Sequence, residues 1–175
     1  VCPKQFEYTG VDFVAGKGVD IVLEDPYHLP FECESTDIVL ASSCFEHSEM
    51  FWLSFLEVMR VLKPTGLFYL NVPSNGAFHR FPVDCWRFYP DSGGALIAWA
   101  NRNGLNPVLL ESYVSDQLRD IWNDFVGVFL KDKNEAGRYQ HRILDFFRSF
   151  KNGKKYGTSG FINFDPVTED RSKRR

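Results

Sequence analysis

The stretch FLEVMRVLKPTGLFYLNVPS, residues 55–74, joins the end of a helix to an apolar strand. Just before it and across its first part, the apolar residues Trp52, Phe55, Leu56, Met59 and Leu62 recur at spacings of three and four, which predicts an amphipathic helix over residues 49–62. Pro64 cannot continue a helix and Gly66 permits a turn, so we expect a strand over 66–73 directly afterwards. A helix that returns at once into an apolar strand is typical of an α/β fold.

Three further strands are predicted upstream, over residues 8–12, 19–25 and 36–43. The third reads TDIVLASS, and its apolar residues are continuous rather than alternating. Such a run is expected for a strand that is covered on both faces, as in a parallel sheet. Together with the helix and strand that follow it, this segment forms a strand–helix–strand unit.

Downstream, a polar and aromatic loop over 74–90 leads to a helix predicted from about 91 to 103. The apolar runs 105–114 and 122–130 follow without a helix between them, which favours an antiparallel pair of strands. The order of elements predicts a three-layer α/β fold whose sheet is mostly parallel, with an antiparallel pair at its C-terminal edge.

The chain divides into three predicted parts. Residues 1–131 form the α/β domain, and residues 132–150 carry an apolar pattern that predicts a C-terminal amphipathic helix. Residues 151–175 contain seven Lys/Arg against three Asp/Glu and predict a basic, irregular tail. Because Gly, Ser and Asp interrupt these charges, we interpret the tail as solvated and expect no nucleic-acid partner.

The four cysteines show neither a CxxC pair nor a histidine at zinc-ligand spacing. This favours reduced thiols in a cytoplasmic protein, and we expect no metal site. No apolar run approaches the roughly 20 residues that a membrane span requires, so no membrane partner is expected. The oligomeric state stays open. The chain opens with Val on the approach to a strand, which suggests that it lacks an N-terminal part.

Polar residues follow each of the first three predicted strands. Asp12 ends the first, Asp25 ends the second, and SSCFEH, residues 42–47, follows the third. Ligands of open α/β sheets bind outside the carboxyl ends of the strands. The sequence therefore predicts a ligand crevice at this edge of the sheet.

The ordered series of these segments resembles the class I S-adenosylmethionine-dependent methyltransferases, in particular the group that acts on small molecules. The resemblance is carried by YTGVD (8–12), LEDPYHLPF (23–31), TDIVLASSCFEH (36–47), the stretch 55–74 and VDCWRFYPDSGGAL (83–96). It implies a Rossmann-like methyltransferase sheet within residues 1–131. The family's first strand and glycine-rich loop are lacking, which implies an N-terminally truncated chain.

The resemblance also implies a binding site for S-adenosylmethionine. Asp12 matches the family acid that accepts hydrogen bonds from the ribose hydroxyls, and Asp25 matches the acid that binds the adenine amino group. Pro26 and Tyr27 would present backbone and packing surface to the ring. Proline stands here where the family usually has a small residue, and it removes a backbone donor.

Residues 42–47 correspond to the segment that passes beneath the methionine part of the cofactor. Ser42 and Ser43 would contact it, mostly through backbone groups. His47 belongs to a hydrophobic–Glu–His signature of the family and is the predicted catalytic residue, as a base or as a group that orients the substrate. In an alternative interpretation, His47 caps the following helix or supports the loop.

The acceptor is expected to contact the loop 74–90. Its candidate substrate-binding residues are His79, Arg80, Asp84, Trp86 and Arg87. The arginines suit a carboxylate or phosphate, and the indole suits a sugar or ring. In the alternative interpretation, the aromatic residues pack the loop onto the sheet and Arg87 pairs with Asp84.

These patterns predict an enzyme that methylates an oxygen or nitrogen of a small-molecule or saccharide acceptor. Two other classes stay open. A non-catalytic, methyltransferase-like interaction module would need no glycine-rich loop. A nicotinamide-dependent Rossmann enzyme would also use an acid such as Asp12 on a ribose, but the sequence shows no Tyr-x-x-x-Lys pair after the strand 66–73.

Overall fold

A computed structural model describes residues 4–117 and 122–167. In chain order, its elements are β1 (Val11–Asp12), β2 (Ile21–Val22), β3 (Thr36–Ser42), a 3₁₀ turn (Phe45–His47), α1 (Phe51–Val61), β4 (Leu62–Pro73), α2 (Ser92–Arg102), β5 (Val108–Ser115), β6 (Asp124–Leu130), two further 3₁₀ segments (Lys133–Arg138 and Ile143–Asp145) and β7 (Phe150–Lys155). No helix in these described ranges has the length and apolar character needed to span a bilayer.

The strands form two sheets. Strands β1 and β2 pair in parallel, and the larger sheet has the order β3-β4-β6-β5-β7. Strand β3 is parallel to β4, whereas β6 lies antiparallel to both β4 and β5, and β7 lies antiparallel to β5. The predicted α/β fold, with parallel strands first and an antiparallel C-terminal part, is confirmed.

Helix α1 packs on one face of the larger sheet through its apolar stripe. The ring of Phe55 is fully buried and lies 6.0 Å from that of Phe68 on β4 and 5.1 Å from that of Phe129 on β6. Burial of a phenylalanine side chain contributes about 1.5–3 kcal/mol to stability. This cluster fixes the strand–helix–strand unit that carries the candidate site.

The turn predicted at residues 63–66 lies inside β4, as an irregularity of the sheet. Thr36 pairs with Leu62 and Ile38 pairs with Leu67, so the extra residues of β4 form a bulge. Gly66 is required there, because a Cβ atom at this position would lie 2.9 Å from the carbonyl oxygen of Lys63. The helix therefore ends one residue before the strand begins.

Burial of β3 on both faces was predicted, and this prediction is wrong. The strand lies at an edge of the larger sheet, where Ile38 is 42% and Leu40 is 65% exposed. Val39 and Ala41 face the core beneath α1. The segment that covers the opposite face packs on β4, β5 and β6, and so leaves the outer side of β3 uncovered.

The prediction of a C-terminal amphipathic helix over 132–150 is also wrong. The chain there forms two 3₁₀ segments whose backbone is held by the sheet. The carboxylate of Glu111 on β5 accepts hydrogen bonds from the backbone N–H groups of Ile143, at 2.8 Å, and Leu144, at 3.0 Å. The Tyr139 hydroxyl donates a hydrogen bond of 2.5 Å to the Thr65 carbonyl oxygen. These hydrogen bonds to the sheet hold the segment in place of the backbone hydrogen bonds of an α-helix.

The irregular tail predicted from residue 151 begins instead as strand β7, which adds to the edge of the sheet beside β5. Three tail lysines pair with acids of the body or the tail itself, in the pairs Lys151–Asp165, Lys154–Asp91 and Lys155–Asp145. Within the described ranges, the three lysines of this segment are therefore paired with acids. Residues 168–175 lie outside the described ranges.

Candidate functional site

The candidate site begins where β3 ends. Ser43 has a φ of 50°, in the left-handed region, and its N–H donates a hydrogen bond of 2.9 Å to the carbonyl oxygen of Asn71 on β4. The Asn71 side-chain amide donates to the Ser42 hydroxyl at 3.3 Å. These contacts turn the chain sharply outward at the carboxyl edge of the sheet, and both serines are exposed there.

Asp12, at the end of β1, lies near enough to Cys44, after β3, for its charge to act on the thiol. The pKa of the Cys44 thiol is raised to about 11, first by burial among surrounding protein atoms and then by the carboxylates of Glu46 and Asp12. Cys44 as a residue is nevertheless exposed to solvent on one side. Asp12, at the end of β1, is exposed and accepts a hydrogen bond of 3.1 Å from the Val14 N–H. The ends of β1 and β3 therefore share one electrostatic environment.

The loop after β2 is tied to the start of α1. The exposed carboxylate of Asp25 accepts the Tyr27 N–H at 2.8 Å, and the Tyr27 hydroxyl accepts the Met50 N–H at 3.2 Å. Pro26, between them, is exposed. These bonds fix the direction of both side chains. Their assignment to adenine stays a prediction, as do the assignments of Asp12, Ser42 and Ser43.

A buried carboxylate lies directly beyond this edge. The side chain of Glu46 is 1% exposed, and its Oε2 has no hydrogen-bond partner within the described part of the chain. Burial raises the pKa of this carboxyl above its ordinary value. The Glu46 backbone carbonyl accepts hydrogen bonds from the N–H groups of Cys85, at 2.8 Å, and Trp86, at 3.2 Å. The loop after β4 is thus fastened over Glu46.

His47, the predicted catalytic residue, lies beside Glu46. Its Nδ1 is 2.5 Å from the carbonyl oxygen of Val83, which can only accept, so the proton resides on Nδ1. Its Nε2 is then an acceptor and lies 3.7 Å from Oε1 of Glu46. The histidine therefore supports the loop through one nitrogen and presents a lone pair through the other. Its catalytic role stays a prediction.

His79 is brought to the same place by the loop. Its ring stacks on Trp122, with centroids 5.5 Å apart, and meets His47 edge-on at 5.0 Å. Its backbone N–H donates to Asp84 at 2.8 Å, and its Nδ1 lies 3.1 Å from the Ala77 carbonyl oxygen. One ligand atom each from Glu46, His47 and His79 lies within 4.8 Å of the others.

Asp84 and Arg87, both predicted to bind substrate, bind each other. The guanidinium donates hydrogen bonds of 2.6 and 2.9 Å to the carboxylate, and this pairing holds the pKa of Asp84 well below its usual range. Arg87 also donates to the carbonyl oxygens of Trp86, at 2.8 Å, and Ala77, at 3.0 Å. Both side chains therefore stabilise the shape of the loop, as the alternative interpretation described, and their contact with substrate stays a prediction.

The remaining two loop candidates lie nearer to solvent. The indole N–H of Trp86 donates a hydrogen bond of 2.9 Å to the Ser48 carbonyl oxygen, and its ring packs edge-on against Phe51 at 5.3 Å. Arg80 is exposed, and its Nε donates to the Pro82 carbonyl oxygen at 3.1 Å. Contact between Arg80 and the substrate stays a prediction.

Comparison with known proteins agrees with this architecture. Residues 4–70 match the family model described as a methyltransferase domain. The phthiotriol/phenolphthiotriol dimycocerosates methyltransferase of Mycobacterium tuberculosis (strain ATCC 25618 / H37Rv) is 36% identical over 88 residues, which are 48% of this chain and 28% of that protein. The phthiotriol/phenolphthiotriol dimycocerosates methyltransferase 1 of Mycobacterium ulcerans (strain Agy99) is 41% identical over 80 residues, which are 43% of this chain and 26% of that protein.

Among solved structures, the chain is similar to the 1,6-didemethyltoxoflavin-N1-methyltransferase of Burkholderia thailandensis, determined with 1,6-didemethyltoxoflavin and S-adenosylhomocysteine bound. The TM-score is 0.51 at 18% sequence identity, and the match covers 71% of this chain and 61% of the other. Since the sequences are this distant, the similarity concerns the fold.

The sheet and its polar carboxyl edge define an α/β protein of Rossmann-like architecture. Residues 4–70 are similar to a methyltransferase domain, and the structural similarity supports the fold of the class I S-adenosylmethionine-dependent methyltransferases. The matched segment includes the ends of β1, β2 and β3. It therefore contains every residue assigned above to the cofactor.

Proposed function

We propose that the protein transfers the methyl group of S-adenosylmethionine to an oxygen or nitrogen of a small-molecule or saccharide acceptor. The observation that carries this proposal is the shared edge formed by Asp12 and by the segment after β3, next to a histidine whose Nε2 is an acceptor. In this class of reaction the cofactor's sulfonium supplies the activation, and the protein positions the two reactants.

The residues at this edge fit such a cofactor. Asp12 is exposed and held by the Val14 N–H, and a carboxylate in this position can accept hydrogen bonds from both hydroxyls of a ribose. Asp25, with Pro26 and Tyr27, would hold the adenine. Ser42 and Ser43, both exposed at the end of β3, would lie along the methionine part.

The loop after β4 would bind the acceptor. His47 would accept a proton from it or orient it through Nε2, and Nδ1 stays fixed on Val83. His79, Arg80 and Trp86 would contact the acceptor from the loop. The pair Asp84–Arg87 would act by holding the loop in shape.

Binding of S-adenosylhomocysteine, followed by calorimetry, tests this proposal. The titration uses this chain and, in parallel, the longest open reading frame that contains it. We expect Asp12→Ala to weaken binding at least about tenfold, because both ribose hydrogen bonds are lost. Asp37→Ala is the matched control, since this acid lies near the amino end of β3 and pairs with Lys63 at 2.8 Å. It should leave binding unchanged.

Absence of binding by both folded proteins would refute the cofactor assignment. The interaction module would then be favoured, whereas saturable binding of NAD instead would indicate a nicotinamide-dependent enzyme. Once binding is established, methyl transfer from radiolabelled S-adenosylmethionine is measured on panels of phenolic, carboxylic and saccharide acceptors. Phthiotriol dimycocerosates are added because the similar mycobacterial proteins are named for them.

A further inference from the structure

The cluster of Glu46, His47 and His79 holds a combination of groups that the fold alone does not require. The Glu46 carboxylate is almost completely buried, and its Oε2 lacks a hydrogen-bond partner among the residues described. Leaving a buried polar atom without a partner destabilises a protein, so native structures normally supply one. A cation bound by this carboxylate would be such a partner.

Both imidazoles are oriented in the same sense. His47 donates its Nδ1 proton to the carbonyl oxygen of Val83, and Nδ1 of His79 lies within hydrogen-bond distance, 3.1 Å, of the carbonyl oxygen of Ala77. In each ring this leaves the lone pair on Nε2. Metal-binding histidines usually have this arrangement, in which a backbone carbonyl fixes the tautomer and the ring direction.

The distances suit a small divalent ion. Ligand atoms around a tetrahedral ion with bonds of about 2.0–2.1 Å lie about 3.4 Å apart. Oε1 of Glu46 and Nε2 of His47 are 3.7 Å apart, and one ligand atom from each of the three side chains lies within 4.8 Å of the others. These separations are somewhat longer than that spacing, and the three side chains lie close enough together to surround one ion.

The local charge also favours a cation. Arg87 is the cationic residue whose charge reaches Glu46 besides the two histidines, and its guanidinium is bound to the Asp84 carboxylate. That pair is neutral as a unit. When it is ionised, the carboxylate of Glu46 is therefore opposed by little positive charge from Arg87.

We propose that Glu46, His47 and His79 bind one divalent transition-metal ion, such as Zn²⁺ or Co²⁺. Two imidazole nitrogens favour these ions over Mg²⁺ and Ca²⁺, which prefer oxygen ligands. Three protein ligands leave at least one coordination position for water or for an oxygen of the acceptor. The proposal goes beyond the proposed function, because binding of the ion does not depend on methyl transfer.

Metal binding and proton removal at Nε2 of His47 exclude each other. With the ion bound, the acceptor would be oriented by the metal rather than by His47. The loop after β4 contributes His79 and is fastened over Glu46, so the ion would also join that loop to the segment after β3.

Titration of the whole chain with Co²⁺, followed by visible absorption and calorimetry, tests the proposal. We expect one saturable site per chain with d–d bands and no thiolate charge-transfer band, since Cys44 is not among the ligands. Glu46→Gln and His79→Ala should each weaken binding at least about tenfold, because each removes one of three ligands. His141→Ala is the matched control, since this exposed histidine lies outside the cluster, and it should bind like the unmodified chain.

Circular dichroism establishes that each variant is folded. If Glu46→Gln does not fold, His79→Ala still decides the question, because His79 lies on the loop outside the hydrophobic core. Absence of saturable Co²⁺ binding by the folded chain overturns the proposal. So does equal binding by His79→Ala, or a thiolate band that disappears in Cys44→Ser.

Discussion

Arg87 clamps Asp84 through two hydrogen bonds, of 2.6 and 2.9 Å, within the loop that covers the candidate site. The side chain of Asp84 is 2% exposed, and its carboxylate also accepts the backbone N–H of His79. One buried ion pair therefore fixes the position of a histidine in the site. Because the guanidinium also donates to two loop carbonyls, the pair organises the loop as a unit.

Replacement of Asp84 by Asn should destabilise the protein, because it leaves the Arg87 charge without its buried partner. We expect the free energy of unfolding to fall by about 3 kcal/mol, as measured by urea denaturation. Asp91→Asn is the control, since Asp91 pairs with Lys154 at an exposed position and should change the free energy by less than about 0.5 kcal/mol. Equal effects of the two substitutions would contradict a structural role for the buried pair.

The same pair should give the protein an acid-sensitive stability. Hydrogen bonds from Arg87 hold the pKa of Asp84 below its value of about 3.9 in an unfolded chain. Its stabilising contribution is therefore complete above about pH 5 and is lost progressively as the pH falls through 4 and below. The difference in unfolding free energy between the unmodified protein and Asp84→Asn should shrink over this range. Parallel curves for the two proteins would argue against it.

The order of strands and helices could be predicted because local patterns determine it. Apolar spacing predicted α1, whereas Pro64 and Gly66, which predicted a turn and a strand from residue 66, lie inside β4, which begins at Leu62. The exposure of Ile38 and Leu40 could not be predicted, since a continuous apolar run looks alike in a central and in an edge strand. Position within a sheet depends on which strands pair, and that is not local.

The C-terminal region illustrates the same limit. Aromatic residues at helical spacing predicted a helix over 132–150, but the Glu111 carboxylate on β5 binds the backbone of Ile143 and Leu144 instead. In the candidate site, Asp12 lies at the end of β1 as predicted, whereas Asp25 lies three residues beyond the end of β2, and the roles of both stay predictions. The sequence places Glu46 next to His47, but it could not predict that His79 lies beside them. That position depends on how the loop after β4 folds.

Asp12 should influence the reactivity of Cys44. Burial is the largest cause of the raised pKa of that thiol, about 11 against an ordinary value of 9.0, which reduces the thiolate fraction near neutral pH about 100-fold. After Glu46, the Asp12 carboxylate makes a smaller contribution to the same shift. Asp12→Asn removes this contribution, so alkylation of Cys44 by iodoacetamide at pH 8 should become faster. Peptide mass spectrometry measures the rate. Asp25→Asn should leave it unchanged, and an equal response to both substitutions would mean that β1 does not approach β3.

Phe55 should be central to stability, since its buried ring joins α1 to β4 and β6. Phe55→Ala removes these contacts and leaves a cavity, and we expect a loss of about 3–5 kcal/mol in the free energy of unfolding. Phe78→Ala is the matched control, because this ring is 75% exposed on the loop. It should change stability by less than about 0.5 kcal/mol. A small effect of Phe55→Ala would contradict the packing of α1 on this face.

Gly76 should determine whether Trp122 can stack on His79. Its φ is +119°, and a Cβ atom added there would lie 2.8 Å from the Cβ of Trp122. Gly76→Ala should therefore cost about 2 kcal/mol through backbone strain and displacement of the indole. The imidazole proton resonances of His79 should lose the upfield shift that the stacked indole causes, as measured by NMR.

Gly94→Ala is the matched control, since the same substitution should there raise stability instead of lowering it. This glycine lies in α2, and a Cβ atom there would meet no atom within 4 Å. Alanine is favoured over glycine in helices by about 0.5–1 kcal/mol, so stability should rise and the His79 resonances should stay in place. If Gly76→Ala leaves both stability and the His79 resonances unchanged, Trp122 does not hold His79 beside His47, and the cluster of Glu46 and the two histidines loses its support on the loop side.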